Sequence, residues 1–448
     1  MRSWGPGAPP PRRSIWSTGI RWSGRRPGEG CLQRGSGEDA VDGTIVGIDV
    51  GTTKICVLIG EVTERESLRI VGMGEVASRG LDEGVVVNVR EATRAIGEAI
   101  RQAEQFSGYP VERVWVGVGG THIAATNSRA AVAVANPRRG VTREDKERVL
   151  RAARTIVIPQ NRDIIHVIPR SYTVDDQTGI MDPEGMQGFR LEVEAHVVTG
   201  SSTAVGNLVR CVEGAGVEVQ GLVVQALASA EAVLTPQERK MGAVLADIGG
   251  GTTDIGVFIN ESICHTTVLR VAGNHLTNDL AIGLRAPFTT AEEVKRRFGH
   301  AMVAGVPEGE AIEVALFGDS GRQPVLRSYV AEILEARAEE ILMLVMREVK
   351  RSGFDGLLPA GLVLCGGSAN LAGLRELGRS VLGVPTRIGV PRGVEGLVEK
   401  VSDPAYATSV GILLWAWRET RTLEAQPARR EAGLWARVLG WLRTFLPE

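Results

Sequence analysis

IVGIDVGTTK (Ile45 to Lys54) and LADIGGGTTD (Leu245 to Asp254) are near-copies. Each runs from apolar, strand-like residues through an aspartate into a Gly/Thr turn, and each is followed by a second apolar strand. One such turn carries little, because Asp-Gly and Gly-Gly turns occur in ordinary hairpins. Two copies at domain-scale separation point to a duplicated α/β fold, with the phosphates of a nucleotide clamped between its halves. Gly51, Gly249, Gly250 and Gly251 lack a Cβ, so backbone N–H groups can approach a phosphate closely and adopt φ > 0. Thr52, Thr53, Thr252 and Thr253 add hydroxyl donors. Asp49 and Asp247 fall at strand ends. A carboxylate beside a triphosphate needs an intervening cation, and Mg²⁺ suits because it keeps its waters and takes few carboxylates. Neither a GxxxxGK[ST] loop nor a G-x-G-x-x-G turn opening a helix is present, which excludes the P-loop and the Rossmann fingerprint.

The bulk numbers fit this reading. A chain of 448 residues has room for about two to four domains. Its 43% hydrophobic and 23% charged content is ordinary for a globular protein. A net charge of -2 argues against a general nucleic-acid binder. Five scattered cysteines with no CxxC pair fit a reducing compartment and no structural zinc. The six histidines show no paired ligand spacing. No apolar run reaches the ~18 residues of a membrane span. The segment VGILLWAW (Val410 to Trp417) reads as a buried helix.

Residues 1–43 are rich in Gly, Pro, Arg and Ser and carry no apolar h-region. They read as disordered, or as an artefact of start-site choice with Val41 as the alternative initiator. From Thr44 the pattern is strand, turn, strand, strand. A helix follows, ending at Gly108. VTREDKERVLRAAR is a helix capped by Thr142. The β-rich stretch with two helices, near residues 84–166, reads as an inserted subdomain. STAVGNLVRCVEGAG is a helix, LVVQALASAEAVL a strand feeding a helix, and GLVLCGGSANLAGL a strand, a Gly-Gly turn and a helix start.

DVGTT, QALASA, DIGGGTTD, E-x-x-K and LCGGSANLAGL occur in the order of the actin/Hsp70/sugar-kinase ATPase superfamily. Within it the chain resembles the FtsA cell-division family, from about Thr44 to the C-terminus. HVIPRSYTVDDQTGI, AGNHLTNDLAIGL and DPAYATSVGILL belong to that resemblance. It implies a duplicated actin-like ATPase fold with an inserted α+β subdomain and a C-terminal amphipathic helix. The implied division is 44–83 with 167–218 as subdomain 1A, 84–166 as an SHS2-like subdomain 1C, 219–273 with 351–418 as subdomain 2A, and 274–350 as subdomain 2B.

The resemblance also implies roles. Asp49 and Asp247 match the two Mg²⁺-organising aspartates, acting through water. Gly51, Thr52, Thr53, Gly249, Gly250, Gly251, Thr252 and Thr253 match the two phosphate loops of an ATP site. Lys54 is placed to reach phosphate as a point charge. Gln225 matches the water-orienting position, where a neutral amide positions water without being a strong base; a plain helix-capping role would use the same residue. With Asp49 and Asp247 it makes the candidate catalytic set. Glu292 and Lys295 share a helix face at i, i+3 and match ribose and adenine contacts; a solvated ion pair has the same spacing. Gly366, Gly367 and Ser368 match the adenine-side turn. Asp254 reads as loop-ordering rather than as a base.

Residues 419–431 are polar and contain Pro427, so they read as a linker. In the helix 432–448, Leu434, Trp435, Val438, Leu439, Trp441, Leu442, Phe445 and Leu446 share one face, opposite Arg437 and Arg443. Such a helix suits the plane of a membrane interface, with about 1 kcal/mol per arginine from anionic lipid. The family resemblance implies a peripheral protein on the cytoplasmic face of the plasma membrane at the division site. It further implies binding of the FtsZ C-terminal tail by subdomain 2B, self-assembly into actin-like filaments and recruitment of later division proteins, with at most slow ATPase activity. Two other readings use the same superfamily features: a PilM-like pilus-assembly scaffold, and an ATPase or phosphotransferase. No sugar-site aspartate can be assigned to support the last.

Overall fold

The computed structural model describes residues 43–155, 158–318 and 321–424. Its frame is two sheets with one topology used twice. In the first, a central antiparallel hairpin joins Thr44–Val50 to Lys54–Val62. Leu68–Ala77 extends it antiparallel on one side. Arg113–Val118 and then Glu218–Val224 add parallel on the other. In the second, Ala243–Ile248 and Thr253–Ile259 form the hairpin, Ser262–Leu269 extends it, and Leu362–Cys365 and Thr386–Ile388 add in parallel. Each half thus orders its strands 3-2-1-4-5, which shows the duplication that the two hairpins announced. The hairpin strands are buried on both faces, as their unbroken apolar runs require.

The first sheet carries Val89–Ser107 and Ser202–Gly214 on one face. On the other lie the helix Gln225–Val233 and the helix Ala407–Glu424, called the Gln225 helix and the Ser409 helix below. These two pack on each other, and the Gln225 helix also touches the second sheet. Their contact is tight at one point: a Cβ on Gly411 would stand 1.8 Å from the Ala228 carbonyl oxygen. Val410, Ile412, Leu413 and Trp415 are buried, as expected of VGILLWAW.

Several boundaries fall elsewhere than the sequence suggested. The inserted unit is a four-stranded sheet ordered Ala124–Ala133, Arg190–Ser201, Arg162–Val174, Gln177–Ile180, backed by Arg143–Ala153. It therefore spans about 124–201 rather than 84–166. Val89–Ser107 and Arg113–Val118 belong to the first sheet and its cover, and 167–201 belongs to the insert. Glu218–Val224, the strand Val394–Gly396 and the Ser409 helix also join the first half, not the second. Local alternation shows that a strand exists, not which sheet it pairs with. Residues 419–424, expected as the start of a linker, instead continue the Ser409 helix, with Glu419 buried. Residues 1–42 and 425–448, which include the expected amphipathic helix, lie outside the described residues.

The insert covers the outer edge of the second sheet, which would otherwise present unpaired backbone. Asn127 Nδ2 donates to the Cys264 carbonyl at 3.2 Å, and His196 Nε2 lies 3.0 Å from Thr266 Oγ1. A second tie anchors the Gln225 helix. Glu231 takes Arg239 at 2.7 Å and Arg418 of the Ser409 helix at 2.8 Å. Burial alone would push its carboxyl up, but the two guanidiniums outweigh it and hold the group at about 2. Its stabilising contribution is present above the unfolded value of 4.5 and lost as pH falls toward 2. Glu231→Gln is expected to cost about 3 kcal/mol in urea unfolding at pH 7, and distinctly less at pH 3.

Candidate functional site

A cleft of about 840 Å³ opens between the two sheets, a size that suits a nucleotide-sized ligand. Both hairpin turns project into it and meet: a Cβ on Gly250 would stand 2.3 Å from Thr53 Cγ2, and one on Gly251 2.7 Å from Thr52 Oγ1. None of Gly51, Gly249, Gly250 and Gly251 has a positive φ. These glycines serve close approach, and the expected left-handed backbone is not used. Gly366 differs, with φ 80° and no room for a Cβ beside Asp247 Oδ1 at 2.3 Å.

The cleft brings together Asp49, Gly51, Thr52, Thr53, Lys54, Gln225, Asp247, Gly249, Gly250, Gly251, Thr252, Glu292, Lys295, Gly366, Gly367 and Ser368. Thr253 is the exception: it is fully buried and its hydroxyl donates to the Val271 carbonyl at 2.6 Å, so it fixes the hairpin from behind. Lys54 sits 3.5 Å from Glu75 and 3.4 Å above the Tyr406 ring. Lys295 reaches Glu292 and Thr277 Oγ1 at 2.7 Å and the Gly273 carbonyl at 3.0 Å. Burial lowers its pKa. Ser368 Oγ donates to the Gly249 carbonyl at 3.0 Å, tying the far turn to the second hairpin.

Asp49 and Asp247 end the central strands of the two halves and are 7% exposed. Burial pushes Asp49 up to about 6; Lys54 opposes this and Asp247 adds to it. Asp247 is likewise raised by burial, against hydroxyl donors that lower it. Asp254, paired across the hairpin with Asp247, is pushed to about 8 by burial and then by Asp247. Its Oδ1 has no hydrogen-bond partner. Asp247 thus raises Asp49, and both raise Asp254. The described residues hold no cluster of three side chains placed to ligate a metal directly, but Asp49 and Asp247 both line the cleft and suit a hard cation that keeps its waters, whose charge would relieve the repulsion. The residues present fit Mg²⁺ held through water.

The sequence reading missed the hydroxyls behind the aspartates, Ser229, Thr408 and Ser409, described below. It also missed a strap. The short hairpin of Leu81–Asp82 and Val85–Val86 reaches the cleft through Gly84, whose N donates to Thr52 Oγ1 at 3.2 Å, and its Glu83 Oε2 lies 3.6 Å from Arg270 of the second half. The four-residue spacing from Gln225 to Ser229 was a usable signal for one helix face. Nothing local marks the others.

The chain is similar to proteins already named. A family model described as "Cell division protein FtsA" matches residues 244–411, and one described as "SHS2 domain inserted in FTSA" matches residues 120–199. The second span agrees with the inserted sheet. Cell division protein FtsA of Pseudomonas aeruginosa is 42% identical over 371 residues, covering 83% of this chain and 88% of that protein. The Bacillus subtilis protein of the same name is 39% identical over 376 residues, 84% of each chain. That of Escherichia coli K12 is 34% identical over 410 residues, 89% and 97%. Among solved structures, a chain of the PilM–PilN type IV pilus biogenesis complex superposes with a TM-score of 0.59 at 17% identity, covering 83% of this chain and 98% of that one. MreB5 of Spiroplasma citri bound to ADP gives 0.50 at 16%, covering 85% and 98%. These likenesses show the actin-like fold.

Proposed function

We propose a function on one premise: the chain belongs to the FtsA family of cell-division proteins. It has a division role, an actin-like fold whose relatives bind nucleotide, and partners in the division machinery. Among the described residues no helix is long and apolar enough to cross a membrane.

The finer reading is that this chain binds Mg-ATP in the cleft and tethers FtsZ filaments to the membrane. Asp49 and Asp247 hold Mg²⁺ through water. The turns Gly51–Lys54 and Gly249–Thr252 hold the phosphates. Glu292 and Lys295 take the ribose and adenine, and Gly366, Gly367 and Ser368 form the adenine-side turn. The observation that carries the nucleotide reading is the meeting of two equivalent Asp–Gly/Thr turns, one from each half, across a single cleft. Mg²⁺ supplies charge neutralisation for the phosphates when bound. Gln225 donates to Asp49 and is a neutral amide, so it orients water without acting as a strong base, and turnover is at most slow. ATP bridges both halves and favours the closed state, from which the chain self-assembles.

Residues 432–448 supply the membrane contact through Leu434, Trp435, Val438, Leu439, Trp441, Leu442, Phe445 and Leu446, with Arg437 and Arg443 on anionic lipid. That places the chain peripherally on the cytoplasmic face of the plasma membrane. The unit 274–350 receives the FtsZ C-terminal tail, a reading supported by its exposed Ile282, Phe288, Leu326 and Tyr329. Later division proteins are recruited to the assembly. The pilus-scaffold alternative has only a fold likeness behind it, at 17% identity. Liposome sedimentation with ATP and FtsZ tests the tether. The full chain is expected to carry FtsZ into the lipid pellet, and a chain ending at Glu431 to leave it in the supernatant; equal pelleting by both refutes the tether.

A further inference from the structure

Two helices reach the paired aspartates from behind, and each one reaches both halves. From the Gln225 helix, Gln225 Nε2 donates to Asp49 Oδ1 at 3.2 Å and Ser229 Oγ to Asp247 Oδ2 at 2.5 Å. Four residues apart, they share one helix face. From the Ser409 helix, Ser409 Oγ donates to Asp49 Oδ2 at 3.0 Å and Thr408 Oγ1 to Asp247 Oδ2 at 2.8 Å. The Ser229 and Thr408 hydroxyls are themselves 3.0 Å apart. Each carboxylate therefore accepts one donor from each helix. Ser229 is fully buried, Ser409 is 1% exposed and Thr408 8%.

A core built only for stability has no need of this arrangement. Two nearby buried carboxylates repel, and apolar residues of similar volume serve packing as well or better. One donor from each helix instead fixes where the remaining lone pairs of each carboxylate point. Thr408 and Ser409 are chain neighbours, yet their carboxylates belong to different halves of the molecule. The pair therefore sets the spacing between the two aspartates.

The geometry points to Ser229, Thr408 and Ser409 as positioning residues that, with Gln225, aim both aspartates at one divalent cation shared between the halves. This rests on the Mg-nucleotide reading above. Thr408 also lines the cleft, but its hydroxyl is directed at Asp247 Oδ2, so in this assignment all three hydroxyls act through the carboxylates.

The test is binding of a fluorescent ATP analogue to the full chain, in Mg²⁺ and in EDTA. Thr408→Val and Ser409→Ala are each expected to weaken binding in Mg²⁺ by about tenfold, the usual scale for partners of metal ligands. Thr408→Ser, which keeps the hydroxyl, is expected to stay near the parent. Binding in EDTA is expected to be the same for all four chains. Melting in EDTA checks that the variants fold; if Thr408→Val does not, Ser409→Ala carries the same comparison on Asp49. Unchanged binding in Mg²⁺, or an equal loss with and without Mg²⁺, overturns the positioning role. A parent chain that binds ATP equally in both buffers overturns the cation reading, and one that binds no ATP overturns the nucleotide reading beneath it.

Discussion

Asp247→Asn is expected to weaken Mg-ATP binding by about 100-fold or more, roughly 3 kcal/mol, while leaving the ligand-free chain as stable as the parent or more so. The two effects separate because the carboxylate is held for a ligand and not for the fold. Ser229 and Thr408 converge on Oδ2, so an amide oxygen at that place keeps both hydrogen bonds. What disappears is one buried charge in a group of three. That charge helps to raise Asp49 to about 6 and Asp254 to about 8, after burial itself. The sign with pH follows. Both groups have folded values above the ordinary 3.8. Between about pH 4 and pH 8 these two groups bind more protons in the folded chain than in the unfolded one, so their contribution to stability falls as pH rises, while His166 and His196, which burial holds down to about 3, contribute the opposite slope up to about pH 6.5. The histidines are common to both chains, so denaturant unfolding in EDTA is expected to show a smaller loss, or a larger gain, of stability from pH 5 to pH 7.5 in Asp247→Asn than in the parent. A variant that loses stability and binding together would mean that Asp247 is chiefly structural. Residues kept for function at a cost in stability are common at such sites.

Gly411→Ala carries the second large effect, and its sign runs against helix propensity. In a helix interior Ala is favoured over Gly by up to about 1 kcal/mol. At Gly411 the added Cβ meets backbone: the Ala228 carbonyl oxygen at 1.8 Å and carbonyl carbon at 2.3 Å. No rotamer relieves a Cβ, so the Gln225 and Ser409 helices must separate. The expected cost is about 2–3 kcal/mol net, the range of an overpacked core. Separation also pulls Ser229 from Thr408, so Mg-ATP affinity is expected to fall although Gly411 does not line the cleft. Gly206 is the control. It lies in the helix Ser202–Gly214 with open space where a Cβ would go, so Gly206→Ala is expected to be neutral or stabilising by up to about 1 kcal/mol. Urea midpoints in EDTA decide the matter; Gly411→Ala matching Gly206→Ala would show that the helices do not depend on this close contact.

Both predictions turn on contacts that no local pattern announces. Asp49 and Asp247 were legible because an apolar strand, a carboxylate and a Gly/Thr turn are neighbours in the chain. The helix ending at Gly108 was legible through its terminal glycine, and that starting after Thr142 through its capping threonine, which the structure shows in a capping box with Asp145. The role of the turn glycines was half legible: their smallness was right, their backbone conformation was not. The boundary of the insert was misread because Val89–Ser107 and Arg113–Val118 look the same in sequence whether they join one sheet or another. The division into two halves was misread at its seams for the same reason, since Glu218–Val224 and the Ser409 helix return to the first sheet.

The sequence by itself determined the two Asp–Gly/Thr hairpins, the duplication they announce, the helix ends at Gly108 and Thr142 and the family, because each of these is written in residues that are close along the chain. The tertiary structure alone decided which sheet each segment joins and which hydroxyls stand behind the aspartates. Ser409 lies 360 residues from Asp49, and Thr408 161 from Asp247. Such partners are chosen by the packing of two helices between two sheets, and that packing depends on burying the whole apolar surface at once rather than on any stretch of sequence.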